Sequence, residues 1–353
     1  MIEVAAPGRI GLFGEHQDYL GLPTITAAIN LKVSIQGKLR NDNLFKIYLP
    51  DIKSSEQFSI PQKNQQLSYI KKRDYFRSVF NVLLRNGARF ENGWDCTVQG
   101  NIPINSGTSS SSALCVAWTR FLIKANSIQK PEFIDPAFIG RLAYLAEVEE
   151  FGEPGGMMDH YASAVGGVLY QDFAKKTNLQ KLPVKLGTFV LGDSLEAKDT
   201  LGILNRVKLG VLEAVNIIKK IDSDFELEDC SLSEIKNHKT ILSKLQTELL
   251  HGAVINRDIT KDALELLNSK HFDEKRFGLL MTEHQKILNE KLKISTPKIN
   301  QMLKAAINAG AYGGKINGSG GGGCMFVYAP ENAEEIAKAI EACGGKAYII
   351  TIS

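Results

Sequence analysis

Apolar positions follow two textures along the chain. Up to about residue 100 they come in short runs rich in β-branched and aromatic residues, broken by turn residues. On that pattern residues 2–5, 28–37, 45–49 and 94–100 read as strands, with one helix among them at 75–86. From Ala113 the spacing turns helical, first over 113–122 and then over 138–151, where Ile139, Leu142, Ala143, Ala146 and Phe151 form a stripe. Pro154-Gly155-Gly156 breaks the run, residues 157–165 resume it, and Gly166-Gly167 gives way to a strand at 168–172. Lys, Thr, Asn and Pro dominate 174–188, which predicts a boundary there. Beyond it come a strand at 188–191 and amphipathic helices at 209–221, 232–250, 262–268 and 277–288. Thr296-Pro297 reads as the start of another helix over 299–309. Strands at 324–328 and 347–352 around a helix at 332–342 complete the pattern, and no internal repeat is present. The expectation is an α+β protein in two lobes, residues 1–180 and 181–353.

Composition narrows the class. A length of 353 residues is large for one core and agrees with two domains. The net charge of +3, with no block of Lys or Arg, gives no footing for nucleic acid or an anionic membrane surface. No apolar run reaches the roughly 18 residues of a spanning helix, and Met1-Ile-Glu3 leads into strand-like residues rather than a basic-then-apolar leader. Cys96, Cys115, Cys230, Cys324 and Cys343 are odd in number and far apart in apolar surroundings, the pattern of reduced thiols in a cytoplasmic protein. CxxC and HExxH spacings are absent, so there is no zinc motif.

Four segments carry candidate chemistry. Pro103-Ile-Asn-Ser-Gly-Thr-Ser-Ser-Ser-Ser-Ala113 lies between a strand and a helix, so its unpaired N–H groups and the helix dipole suit an anion, and its hydroxyls suit phosphate or magnesium. The same residues also suit a plain Ser-rich cap or loop. In Lys315-Ile-Asn-Gly-Ser-Gly-Gly-Gly-Gly-Cys324, Gly318, Gly320 and Gly323 fit GxGxxG, but a strand follows where a dinucleotide fold needs a helix. That run reads as a tight loop in close approach to another backbone or a ligand, with a linker as the alternative. Arg9, Glu15, His16 and Asp18 crowd the segment after the first strand, a set able to hold vicinal sugar hydroxyls or simply to decorate a solvated turn. Glu147 lies near the apolar stripe of its helix, with a surface residue among Glu149 and Glu150 as the alternative. Asp159 falls in the first turn of the next, where the dipole favours its charge by roughly 0.3–1 kcal/mol even in an ordinary helix-start Asp.

Together these segments resemble the GHMP small-molecule kinases, within them the galactokinase branch, and the resemblance runs almost end to end. It is carried by residues 8–21 with GEH and DY, by 103–113, by Ala146-Glu147 to Asp159-His160, and by 277–281, Glu283-His284, 295–297 and 310–324. It implies a two-lobed fold, an N-terminal lobe like domain 2 of ribosomal protein S5 and a ferredoxin-like α/β C-terminal lobe. It implies transfer of the γ-phosphoryl group of ATP to a sugar hydroxyl at the anomeric carbon, with galactose the leading acceptor. Ser106, Gly107, Thr108, Ser109, Ser110, Ser111 and Ser112 would wrap the phosphates, Tyr75 would border the adenine, and Ser111 with Glu147 would hold Mg2+. Asp159 would act on the hydroxyl as base or orienting group, with Arg9 keeping it ionised. Glu15, His16, Asp18 and Gly156 match sugar contacts, and the loop of Gly318, Gly320, Gly321 and Gly322 would close on the site.

The chain departs from the galactokinase pattern at the acceptor side. Gly11 replaces the usual Asn; Gln17, Leu20 and Leu22-Pro23 also differ; Asn205 stands nearest by count to the expected tyrosine; and Lys72 replaces the adenine-pocket tryptophan. A changed polar contact can change the substrate strongly. The alternatives are a kinase for a heptose phosphate or mevalonate, and a non-catalytic sensor of sugar and ATP. The expected partner is a small-molecule sugar, with the chain a monomer or weak homodimer and no nucleic acid or membrane involved.

Overall fold

The computed structural model describes residues 1–62, 65–103, 107–128, 130–198 and 200–353. Among these, the strands build two sheets. The larger contains β1 (Ile2–Phe13), β2 (Thr24–Leu39), β3 (Leu44–Leu49), β4 (Ser54–Ser59), β5 (Trp94–Gly100), β6 (Val168–Asp172) and β7 (Asn178–Leu182). β2 is its spine. β1 runs antiparallel along one edge, while β5 and β6 pair with the two halves of the other. β3 joins β5 in parallel, and β4 and β7 are the outer strands. The first six residues of β2 are buried on both faces, and from Leu31 onward only alternate side chains turn inward. That change marks where the sheet is covered on both sides and where one face meets water.

The smaller sheet holds β8 (Phe189–Asp193), β9 (Gly313–Ile316), β10 (Cys324–Tyr328) and β11 (Lys346–Ile350), antiparallel in the order β11-β8-β10-β9. Helices α1 (Tyr75–Arg85), α2 (Ser110–Ala125), α3 (Pro136–Glu147) and α4 (Met158–Val165) form a layer on the larger sheet. Next come α5 (Thr200–Lys219), α6 (Leu232–Asn237), α7 (Lys244–Leu267), α8 (Glu274–Glu290), α9 (Pro297–Asn308) and α10 (Ala333–Ala342). α9 and α10 lie on the smaller sheet, while α7 and α8 pack on each other and on β1. The lobes share one core: Phe13 of β1 meets Phe277 of α8 at 5.7 Å, and Phe277 meets Tyr328 of β10 at 5.2 Å. Fully burying an aromatic of this kind stabilises by about 1.5–3 kcal/mol, so these rings weld the lobes. The chain then returns to the first sheet, where Asn30 N–H donates to Thr351 O and Ser353 N–H to Ala28 O. None of the described helices is long and apolar enough to cross a membrane.

The two-lobed α+β architecture is the expected one, and several elements differ from the sequence pattern. The predicted boundary at 174–188 contains β7, whose polar residues face solvent at a sheet edge while Leu182 is buried. The helices expected at 232–250 and 262–268 are instead the short α6 and the continuous α7, which begins at a Ser243–Gln246 capping box. β1 runs on through Phe13, so Arg9 lies on a strand rather than in the turn after one.

Candidate active site

A cavity of about 840 Å³ opens between the lobes, bordered by the end of β1, the start of α2, the α3–α4 connection, the segment after β8 and the glycine loop before β10. At its floor Arg9 and Asp159 meet in a fork: Nε donates to Oδ1 at 2.7 Å and Nη2 to Oδ2 at 2.8 Å. Ser109 Oγ donates to the same Oδ2 at 2.6 Å. Burial works against the charge on Asp159, but the Arg9 guanidinium and the Ser109 hydroxyl outweigh it and hold the carboxyl below its ordinary range. A carboxylate offers about four acceptor sites, so three donors leave one open toward the cavity.

Ser109 sits in the left-handed region at φ 60°, an uncommon place for a residue with a side chain. It is the N-cap of α2, yet its hydroxyl makes no cap bond, because that hydroxyl is spent on Asp159. The N–H groups of Ser110, Ser111 and Ser112, the first helical turn, therefore have no acceptor among the described residues. All three residues line the cavity. The sequence placed this helix three residues later; the serines are its positive end rather than a loop before it. Gly107 also lines the cavity, and its carbonyl accepts from Arg9 Nη1 at 2.6 Å. Thr108 is buried behind it, its hydroxyl turned to Pro103 O, so it contributes its backbone O to Arg9 N–H rather than a group to the cavity. Ser106 lies outside the described residues.

Glu147 ends α3 against this helix start. Burial opposes its charge, while His160, whose Nε2 lies 2.7 Å from Oε2, and the Ser111 and Ser112 hydroxyls favour it; the net effect lowers its pKa. Tyr75, at the start of α1, lines the cavity beside Val148 and Arg73.

On the acceptor side Asp18 takes hydrogen bonds from Met158 N–H at 3.1 Å and Tyr19 N–H at 2.9 Å, and lines the cavity. Burial pushes its carboxyl up from the ordinary value. Gly156 passes so close that a Cβ there would stand 1.8 Å from Asp18 Oδ2, so only glycine fits. His16 also lines the cavity, but both ring nitrogens are engaged: Nε2 donates to Ser319 O at 3.0 Å, and Nδ1 lies 2.6 Å from Tyr19 Oη. A carbonyl only accepts, which assigns the proton to Nε2. Burial brings the His16 pKa down to about 4, so the ring is neutral near pH 7.

Glu15 corrects the expectation that it meets the substrate. It is fully buried away from the cavity, paired with Lys315 Nζ, which also donates to Gly11 O at 2.8 Å, with His284 3.8 Å away. Burial raises the Glu15 pKa and brings Lys315 down to about 8. Gly11 follows from this pairing, since a Cβ there would stand 2.7 Å from Glu15 Oε1. The glycine loop is corrected in part. Gly318 lines the cavity at φ 72°, where a Cβ would be 2.9 Å from Gly107 O, but Gly320, Gly321 and Gly322 do not line it. Gly320 and Gly321 thread the loop past Ile294, whose carbonyl accepts from Gly321 N–H at 2.7 Å, while Gly322 lies against Glu196 and Ala197. Asn205 and Lys72 are exposed and outside the cavity wall; Leu201 and Leu204 form that part of it.

Sequence reasoning missed Lys198, which lines the cavity, and Asn317, which bonds Gly107 O and Gly11 N–H at 2.9 Å each. The position of Asn317 between Lys315 and the glycines was the available signal for it; Lys198 stands in a segment with no motif.

Three profiles of one family match the chain in order: the galactokinase galactose-binding signature over residues 2–38, the GHMP kinases N-terminal domain over 74–167 and the GHMP kinases C-terminal domain over 263–346. The chain is 28% identical over 355 residues to a mevalonate kinase of Thermococcus sibiricus, covering 99% of this chain and 95% of the relative. It is 27% identical over 349 residues to a galactokinase of Mannheimia succiniciproducens, covering 96% and 88%. Its fold matches Lactococcus lactis galactokinase complexed with galactose at a TM-score of 0.84, with 22% identity, over 99% of this chain and 93% of that one. With the signature on β1 and β2, the N-terminal profile spanning α1 to α4 and the C-terminal profile reaching β9 to β11, the chain belongs to the GHMP kinases, phosphotransferases with an alcohol group as acceptor.

Proposed function

We propose that this chain transfers the γ-phosphoryl group of ATP to the anomeric hydroxyl of a monosaccharide, galactose or a related sugar, in the cytoplasm. The observation that carries the reading is the ionised Asp159, gripped by Arg9 and Ser109 with one acceptor site open, beside a helix start whose N–H groups have no acceptor among the described residues. The galactose-binding signature over residues 2–38 supports a sugar as acceptor.

The acceptor hydroxyl donates to the open site on Asp159 and is aimed at the phosphoryl group. A carboxyl held below its ordinary range is a weak base, so Asp159 orients the hydroxyl first and takes its proton late, as the new O–P bond forms. Arg9 keeps Asp159 charged and brings positive charge to the reacting centre. Asp18 holds a second hydroxyl of the acceptor, and the N–H groups of Ser110 to Ser112 receive phosphate oxygens at the positive end of α2. Tyr75 borders the nucleotide. Ser111 and Glu147 suit Mg2+: one ionised carboxylate beside a hydroxyl is the sparse oxygen set this cation accepts while keeping waters and phosphate oxygens, and it would neutralise phosphate charge there.

A second reading, an acceptor of the mevalonate type, draws on the apolar wall of Leu201 and Leu204 and on the mevalonate kinase relatives. The test is ADP release with Mg-ATP on a panel of aldoses, uronic acids and mevalonate, with Asp159→Asn as control. Sugar-dependent turnover that falls by roughly 10²–10⁴ in the variant is expected. Turnover on mevalonate alone selects the second reading, and turnover undiminished in Asp159→Asn refutes the role given to Asp159.

A further inference from the structure

Three basic side chains line the cavity among the described residues: Arg9, Arg73 and Lys198. Arg9 is committed to Asp159 and Gly107 O, and Arg73 to Glu153, with Nη2 donating at 2.9 Å. Lys198, between β8 and α5, has no hydrogen bond or ion pair with any described residue. Its ammonium lies over Gly107, so close that a Cβ there would be 2.7 Å from Nζ. The carbonyl of that same Gly107 takes the Arg9 guanidinium. An ammonium and a guanidinium thus flank one peptide, at the point where the chain turns into the open N–H groups of α2. Burial, and then Arg9, push the Lys198 pKa down to about 8. The groups facing it are Arg9 from β1, Asp159 from α4, Asp193 from β8 and Cys324 from β10. Asp159 already answers Arg9, so the pair of cations is short of an anion at the cavity surface.

We propose that Lys198 is a catalytic residue that donates to an oxygen of the phosphoryl group being transferred, holding it against Arg9 and the start of α2. This rests on the phosphoryl-transfer reading above. The acceptor oxygen forms its bond to the γ-phosphorus as the bond from that phosphorus to the bridging oxygen breaks. ADP leaves with the bond's electrons, and the acceptor proton passes to Asp159. Lys198 keeps its proton throughout and offsets charge on the moving group. Its place over Gly107, ahead of the serines, puts it on the phosphate side rather than beside Asp18.

The test compares binding of Mg-ADP and of the Mg complex of the β,γ-imido analogue of ATP, by calorimetry on the full chain. Lys198→Met is expected to weaken the triphosphate analogue by roughly tenfold to a hundredfold, the range for one hydrogen bond to a charged group. ADP affinity should stay within about twofold, and Lys198→Arg should recover most of the loss. In the wild type the analogue should also bind less tightly as pH rises through about 8, and this dependence should vanish in Lys198→Met. Unchanged analogue affinity, or equal loss of both nucleotides, overturns the proposal. Loss confined to the acceptor KM overturns it too and assigns the lysine to the acceptor. Triphosphate-selective loss without turnover on any acceptor upholds Lys198 while refuting the acceptor reading.

Discussion

Gly156→Ala tests how tightly the acceptor side is built. The new Cβ would lie 1.8 Å from Asp18 Oδ2, 2.1 Å from Cγ and 2.4 Å from Oδ1. To restore ordinary contact the carboxylate must withdraw by about 1.5 Å or more. Such a move takes it off the Met158 and Tyr19 N–H groups, now at 3.1 and 2.9 Å. Each bond to a charged acceptor contributes about 1.5–3 kcal/mol, and the buried carboxyl has little water to turn to. Partial relaxation leaves an expected loss of about 3 kcal/mol in stability, read from urea unfolding at pH 7. In turnover assays kcat/KM for the acceptor should fall roughly a hundredfold, as a displacement of that size does to a reacting geometry. The decisive arm is the double variant with Asp18→Ala, which removes the atoms the methyl strikes. There the same methyl should cost about 1 kcal/mol or less, leaving a coupling of about 2 kcal/mol. Equal cost of Gly156→Ala in both backgrounds would refute the argument that Asp18 is what excludes a side chain at 156.

Two further outcomes follow from the buried ionisable groups. His16 has its pKa lowered to about 4 in the fold, so its contribution is fully present above the unfolded value of 6.5 and is lost as pH falls through the window down to about 4. Between pH 7 and 5 that amounts to about 2 kcal/mol, and urea unfolding of the wild type against His16→Gln should show the variant without this component. Lys315→Met leaves Glu15 buried without its partner and should cost about 3–5 kcal/mol, while Lys315→Met with Glu15→Leu should recover most of the loss. Thermal unfolding at several pH values checks both, and a double variant as unstable as the single one argues against the pairing as the cause.

The sequence made legible what depends on local order. The helix start marked by Thr296-Pro297 fell where expected, and β10 and β6 coincide with their apolar runs. β4 and β7 were missed because edge strands need only one inward side chain in two or three, and their polar residues read as linker. The long α7 was split although Ala253, Val254 and Ile259 continue its buried face, because Asn256, Arg257 and Thr260 share that face, buried among tertiary partners that no periodicity records. Arg9, Asp159, Ser109 and Glu147 each stand in a motif, and the structure brings all four to the wall of one cavity. Glu15 also stands in a motif, but its side chain turns toward Lys315, 300 positions away, a pairing no local pattern records. Lys198 carried no local signal, since its setting is made by Gly107 and by segments of both lobes.

The welding of the lobes through β1 also orders events in time. Arg9 finds Asp159 across 150 residues, and Gly11 meets Lys315 across 304. A ribosome adding about 5–20 residues per second therefore delivers Arg9 and Glu15 many seconds before their partners exist. For that interval the emerging sheet carries two charges it cannot bury, and the apolar face of β1 has no α8 to cover it. The newborn chain thus keeps the apolar face of β1 uncovered until α8 is made, a natural address for a chaperone during that interval.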